Sequence, residues 1–399
     1  MSSCGIFYIE SCEVFITKRE LKSKLLSLFR CPDVDKEATQ FTQTVAELKQ
    51  RLNLMGFTYS IAEKKFNEYK KEWLLDFDID DENYSNDKSL FESVDLEIIS
   101  DEIGNIIMHD KCFFIDNQIR NSLIHNFIEE CVDEDETDIR WFIRLAIEKL
   151  ANQTPVTYEF GDLIDAGYYN TNNIRELYHT VIQDNQNIFT LGEKIIILTE
   201  GKTDVEFIQG AMEVLYPHLA DCYAFLDFNN GYDGSAKTLS NNVKSFIAAG
   251  INSKIIGIFD NDSLGCGVLK NLQSRIKLPN NVKLFHYPNM NFTNNYPTKE
   301  IDAEKIESCN INGLACSIEL YFGEDSLLDD GGKLIPIQWE QSRDNANRQG
   351  SITFKNKIQE KIRAKINNAK LQPELDINDW RDADKILKMI FNAFHKAID

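Results

Sequence analysis

Several signatures that would place a chain quickly are missing from this sequence. No apolar stretch approaches the roughly 18 residues that a membrane helix needs, and no positively charged leader precedes an apolar region in MSSCGIFYIESCEVFIT. This predicts a cytoplasmic protein with no membrane partner. The nine cysteines are odd in number and scattered without a CxxC pair, so neither a disulfide framework nor a zinc ribbon is supported. Positive charge is also scarce. Lys and Arg number 43 against 64 Asp and Glu, a net charge of −21, which repels nucleic acid unless metal ions or local basic patches intervene. A general nucleic-acid coating function is disfavoured. A phosphate loop is absent too: EGKTD contains the GKT of one, but the first glycine would have to stand at Ile196. Any ATPase must therefore come from a partner.

Apolar content is ample by contrast, at 43% of 399 residues, enough for sizeable cores in two or three domains. The most apolar strand candidate lies in IIILTEGKTDVE, residues 195–206, where Ile195, Ile196, Ile197 and Leu198 run through Thr199 into Glu200 and Gly201. β-Branched residues without alternation indicate a strand buried on both faces, as in a parallel sheet. Glu200 then falls at the carboxyl edge, where open α/β sheets bind ligands. The pattern next turns helical through Val205, Ile208, Met212, Leu215 and Leu219, with Thr203 and Glu206 spaced as a capping box. CYAFLDF, KIIGIF and NVKLFHY supply further strands, separated by helices carrying Val243 and Phe246, then Val268 and Leu272. Such alternation over 194–287 implies βαβ units and parallel strands. Before 190 a possible hairpin, CGIFYIESCEVFIT, precedes mostly helical patterns; after 290 comes a polar loop, a mixed segment and a helical tail.

A second strand ends on acid, at Asp260 and Asp262 in IFDNDSLG. Residues two apart on a strand can aim the same way, so three carboxylates can share one crevice with Glu200. Hard oxygen donors suit Mg2+ or Mn2+, and such an ion stabilises charge on a phosphodiester under attack. Phosphoryl transfer is the chemistry suggested. Gly201 and Gly265 are expected to let the backbone turn tightly beside the acids.

Glu200, Gly201 and Asp204 at one strand end, followed about sixty residues later by DNDSLG, resemble the Toprim domain shared by topoisomerases, bacterial primases and OLD-type nucleases. The segments RLNLMGFTYSIAEKKFNEYK, YPHLADCYAFLDF, FIAAGINSKIIGIFDND, CSIELYFG and IPIQW resemble a bacterial group that joins a HEPN/Toprim-associated N-terminal domain to a C-terminal Toprim domain. The resemblance implies an α/β fold: a Toprim-type parallel sheet flanked by helices at 191–290, a mostly helical N-terminal domain with a small β element at 1–190, and a mixed C-terminal extension at 291–399. It further implies a metal-dependent endonuclease in antiviral defence, with Glu200 handling protons, Asp260 and Asp262 holding Mg2+, and Asp204 and Glu319 as further metal ligands. A partner ATPase is implied as well. Primases usually carry a zinc ribbon and topoisomerases need strand-gating domains, for which this chain leaves little room; a hydrolytic nuclease remains.

Other features compete for function. Lys361, Arg363 and Lys365, in a basic stretch from Lys355 to Lys370, are either a phosphate-facing surface or one solvated helix face. Arg120 and His125 have the R-x4-H spacing of HEPN ribonucleases, but on a helix they would lie roughly 140° apart. Asp227 ends the second strand and is either a site residue or a loop-starting aspartate. Two alternatives therefore stand beside the nuclease: a non-enzymatic module that binds a partner, and a metal-independent ribonuclease using Arg120 and His125. Oligomeric state is open, with a dimer or larger complex compatible.

Overall fold

The computed structural model describes residues 4–30, 39–76, 96–109, 138–169, 176–180, 194–226, 228, 234–301, 305–340, 348–371 and 380–398. Arg120, His125 and Asp227 lie outside them. The chain is a mixed α/β protein divided into two compact units, Met1–Gly192 with His395–Asp399, and Glu193–Phe394.

The first unit is built on a four-stranded antiparallel sheet. The expected hairpin forms from β1 (Cys4–Ile9) and β2 (Cys12–Lys18), and two further strands, β3 (Gln40–Thr44) and β4 (Pro155–Glu159), complete the order β2-β1-β4-β3. This is more sheet than the sequence pattern indicates. Phe7, Phe15, Phe29, Phe41, Tyr158 and Phe160 form its aromatic core. Helix α1 (Val45–Met55) starts at a true capping box, Thr44 with Glu47, and stops at Gly56, whose φ of 95° is open to glycine at little cost. Helices α2 (Tyr59–Asp76), α3 (Leu96–His109) and α4 (Ile139–Ala146) follow.

The second unit contains the alternation read from the sequence. Strands β5 (Ile195–Leu198), β6 (Tyr223–Phe225), β7 (Ile255–Phe259) and β9 (Val282–His286) form one sheet in the order β6-β5-β7-β9, parallel throughout. Helices α5 (Lys202–Leu215), α6 (Ala236–Ala248) and α7 (Ser263–Arg275) connect them. Leu239, Val243, Leu269 and Leu272 pack on Leu198, Ile255 and Phe259. The periodicity expected to run to Leu219 breaks earlier, because Pro217 cannot continue a helix and opens a short one of its own. The expected capping box at Thr203 and Glu206 does not form. Gly201 is the N-cap, and Glu206 instead takes a two-pronged ion pair from Arg363.

Residues beyond 290 belong to the same unit. Strands β10 (Tyr296–Lys299), β11 (Glu307–Cys309), β13 (Ile337–Trp339) and β14 (Gly350–Ile352) form a mixed sheet. A two-residue strand, β8 (Asn261–Asp262), pairs with β12 (Ala315–Cys316), which ties the acidic loop to the segment carrying Glu319. Helix α8 (Lys355–Leu371) buries Ile358, Ile362 and Ile366, one turn apart on one face. It packs on α5, as does α9 (Arg381–Phe391). Gly210 of α5 permits the approach: a β-carbon there would stand 2.9 Å from Ile366 Cγ2.

Candidate active site

Glu200 leaves the carboxyl end of β5 and Asp260 that of β7, neighbouring strands of the parallel sheet. Their carboxylates and Asp204 line a polar cleft of about 220 Å3 with Gly201, Ser235, Glu319 and Lys355. Glu200 Oε1 accepts the Asp260 backbone N–H at 2.9 Å, so the two strand ends are fixed to each other. Asp204, only 6% exposed in the first turn of α5, accepts from the Tyr287 hydroxyl at 2.6 Å. Glu319 is 0% exposed; Ser317 donates to one of its oxygens at 2.7 Å, and Gln359 donates to the other at 2.8 Å. Lys355 Nζ lies 3.2 Å from that second oxygen.

Neither glycine is used for torsional freedom, which corrects the expectation from sequence, and Gly265 is needed for room. Gly201 has φ −156°, an extended conformation open to any residue, but a β-carbon would meet Asp204 Oδ2 at 3.3 Å. Gly265 is helical, and its β-carbon would stand 2.4 Å from the Asp260 carbonyl, 2.9 Å from Glu200 Oε1 and 3.1 Å from Asp262 Oδ1. Gly234 comes as close to the Glu200 carbonyl, 2.4 Å from where its own β-carbon would be.

Charge inside the cleft is poorly compensated. Burial, with Asp262 and Asp204 nearby, pushes the Glu200 carboxyl up to about 7 despite the Asp260 N–H that favours its charged form. Burial likewise pushes Asp204 up to about 6, against the Tyr287 hydrogen bond and with a contribution from Glu319. Asp260 is raised well above the usual carboxylate range by burial and by Asp204, Glu200, Asp262 and Glu319, and its Oδ1 is buried with no hydrogen-bond partner. Burial alone would lower the Lys355 ammonium, but Glu319, Asp260 and Asp204 outweigh it and hold it above its ordinary value.

Asp262 does not line the cleft. Its Oδ1 caps α7 by accepting from Gly265 N–H at 2.6 Å, and its Oδ2 accepts from Gln349 at 2.5 Å. Among the described residues no group of three or more His, Cys, Asp or Glu side chains is placed to hold a metal ion. Mg2+ does not require one, since it usually binds through one or two carboxylates and keeps several waters. A hard cation fits two donors here: the unpartnered Asp260 oxygen, the Glu200 carboxylate beyond the oxygen that accepts the Asp260 N–H, and the mutual repulsion that raises these acids favour one.

The basic stretch divides. Lys355 faces the cleft, a placement that its membership in a run of lysines did not distinguish. Lys361 donates to the Leu328 carbonyl, Arg363 to Glu206, and Lys365 to Asp325 and the Phe322 carbonyl. None of those three lines the cleft.

Fold and site together define a mixed α/β protein with an acidic cleft at the carboxyl edge of a parallel sheet. Residues 1–181 match the family model of the HEPN/Toprim N-terminal domain 1. No curated protein and no solved structure matches the chain. No helix among the described residues is long and apolar enough to cross a membrane.

Proposed function

We propose that the second unit is a Toprim-type nuclease that hydrolyses phosphodiester bonds with Mg2+ or Mn2+. The observation that carries this reading is the buried, unpartnered Asp260 oxygen beside Glu200, Asp204 and Glu319 at the carboxyl edge of a parallel sheet. Asp260 and Glu200 would hold the ion, and Asp204 and Glu319 are proposed as further ligands, once their present hydrogen bonds are exchanged for the ion. A bound cation would supply Lewis-acid stabilisation of the charge that builds on the scissile phosphate.

The chain's own groups divide the remaining work. Glu200 is proposed to take the proton of an attacking water: burial raises its carboxyl in the metal-free cleft, and a bound cation would hold it in the ionised form that can accept a proton. Lys355, held protonated, meets a non-bridging phosphate oxygen or the leaving oxygen. Tyr287 fixes Asp204; Ser317 and Gln359 fix Glu319. Asp262 supports the site by capping α7 and adding its field to Glu200 and Asp260, and proton or metal contact is proposed for it only once Gln349 releases Oδ2.

A role in antiviral defence, as a cytoplasmic protein acting on nucleic acid under the control of a partner ATPase, is part of this proposal; the match over residues 1–181 supports its HEPN/Toprim association. A non-enzymatic binding module is the second reading, favoured by the engagement of both Asp262 oxygens. Incubating the protein with plasmid, single-stranded DNA and total RNA, each with Mg2+, Mn2+ or EDTA, separates the two. Cleavage that needs the cation and disappears in Glu200→Gln and Asp260→Asn is the expected outcome. A folded protein that cleaves nothing under any of these conditions would leave only the binding module.

A further inference from the structure

Phe354 stands between β14 and α8, one residue before Lys355. It is 69% exposed, and its φ is 54°, in the left-handed region that bulky side chains rarely adopt. Among the described residues only Glu10 and Arg19 are the other non-glycine residues with positive φ, and both are polar residues for which water is a ready partner. The conformation is held from both sides. Gly350–Ile352 is paired to β13, Thr353 Oγ1 donates to the Pro336 carbonyl, and the Phe354 carbonyl accepts from Ile358 N–H in the first turn of α8. An exposed aromatic residue on a left-handed backbone, one position before a cleft lysine in the sequence, is an outlier from which a functional role can be inferred.

From this geometry we infer that Phe354 is a base-stacking platform and that the substrate is a nucleic acid with an unpaired base beside the scissile phosphate. The inference rests on the nuclease reading above. Lys355 holds the phosphate, and the neighbouring ring takes the face of the adjoining base. Every base has a π-face, so the contact is indifferent to sequence. Its value is greatest in a protein of net charge −21, because stacking adds affinity for a polyanion without adding positive charge. A fully paired duplex keeps its bases stacked on one another and cannot use the platform.

The test measures Kd by fluorescence anisotropy for labelled single-stranded DNA, single-stranded RNA and a blunt duplex, in Mg2+ and in a cleavage-dead Glu200→Gln background. Phe354→Ala is expected to weaken single-strand binding by on the order of tenfold. It should leave the duplex almost unchanged, and the salt slope unchanged because no charge is lost. Phe354→Trp should restore affinity. Phe354→Gly, which relieves the left-handed strain, should melt at or above the wild-type temperature while binding as weakly as Phe354→Ala, which separates lost stacking from lost folding. Whichever single strand shows the Phe354-dependent difference identifies the sugar. Equal single-strand affinity in Phe354→Ala, or equal loss on duplex and single strand, overturns the platform. If Glu200→Gln and Asp260→Asn also cleave like wild type, the nuclease reading falls with it; if they are inactive, only the platform does.

Discussion

Asp260 has a buried carboxylate oxygen with nothing to accept from, and Glu200 spends one oxygen on the Asp260 backbone. Removing the charge of either should abolish metal-dependent cleavage, by on the order of a hundredfold or more, with the fold intact by circular dichroism. The same crowding sets a pH dependence without metal. Glu200 and Asp204 have native pKa values of about 7 and 6, above those of ordinary carboxylates. Their neutral forms are therefore favoured by folding, and stability is highest below the unfolded pKa near 4 and falls as pH rises through the native values. In EDTA the protein should melt lower at pH 8 than at pH 5.5, and Glu200→Gln should flatten that slope. An equal slope in the variant would mean that the acids do not interact as described. Gly265→Ala is a sharper steric probe, because its methyl would meet the Asp260 carbonyl at 2.4 Å. It should cost about 1–3 kcal/mol of stability, read as a lower Tm, and reduce activity. Glu200 and Asp260 were legible in the sequence because charge at the end of a β-branched run is locally anomalous. Lys355 was not, since nothing in a run of lysines says which one faces inward.

Helix α8 shows what pattern alone conceals. Ile358, Ile362 and Ile366 mark its buried face at plain helical spacing, but the partners of its cations lie far away in the chain: Glu206, Leu328, Phe322 and Asp325. Any phosphate contact proposed for Lys361, Arg363 and Lys365 has to compete with those acceptors. Arg363→Glu places like charge against Glu206 and should cost about 1 kcal/mol or less of stability for a pair this exposed, read as a lower Tm. The swap Glu206→Arg with Arg363→Glu should recover the loss, and a double-mutant cycle measures it. Among strands, β5, β6, β7 and β9 were readable because burial on both faces makes them continuously apolar. β3 and β4 were not: QFTQT is polar except for Phe41, PVTYE opens on proline, and each finds its partner across more than a hundred residues. The pairing of β8 with β12 is only two residues long, too short for any periodicity to register.

Across the whole molecule the net charge is −21, and four acids, Glu200, Asp204, Asp260 and Glu319, line one cleft where a cation would be welcome. Without Mg2+, at pH 8, Asp260→Asn should melt above wild type, because the cost of keeping this buried acid from ionising beside Asp204 and Glu200 is gone. With Mg2+ the order should reverse, since a ligand that binds only the native state adds about 2.7 kcal/mol at a hundred times Kd, most of which the variant forgoes. Parallel melting curves across the titration would remove the case for an ion site. All the cleft residues fall within Glu193–Phe394, so this response is a property of one compact unit. Two residues of that cleft are carried by helices that pack on each other. Asp204 rides on α5 and Lys355 on α8, and the two helices come together over Gly210, where even a single methyl would press on Ile366. Gly210→Ala is thus a wedge at the fulcrum of a lever: it touches no group in the cleft, yet it should prise Lys355 away from the acids and slow turnover.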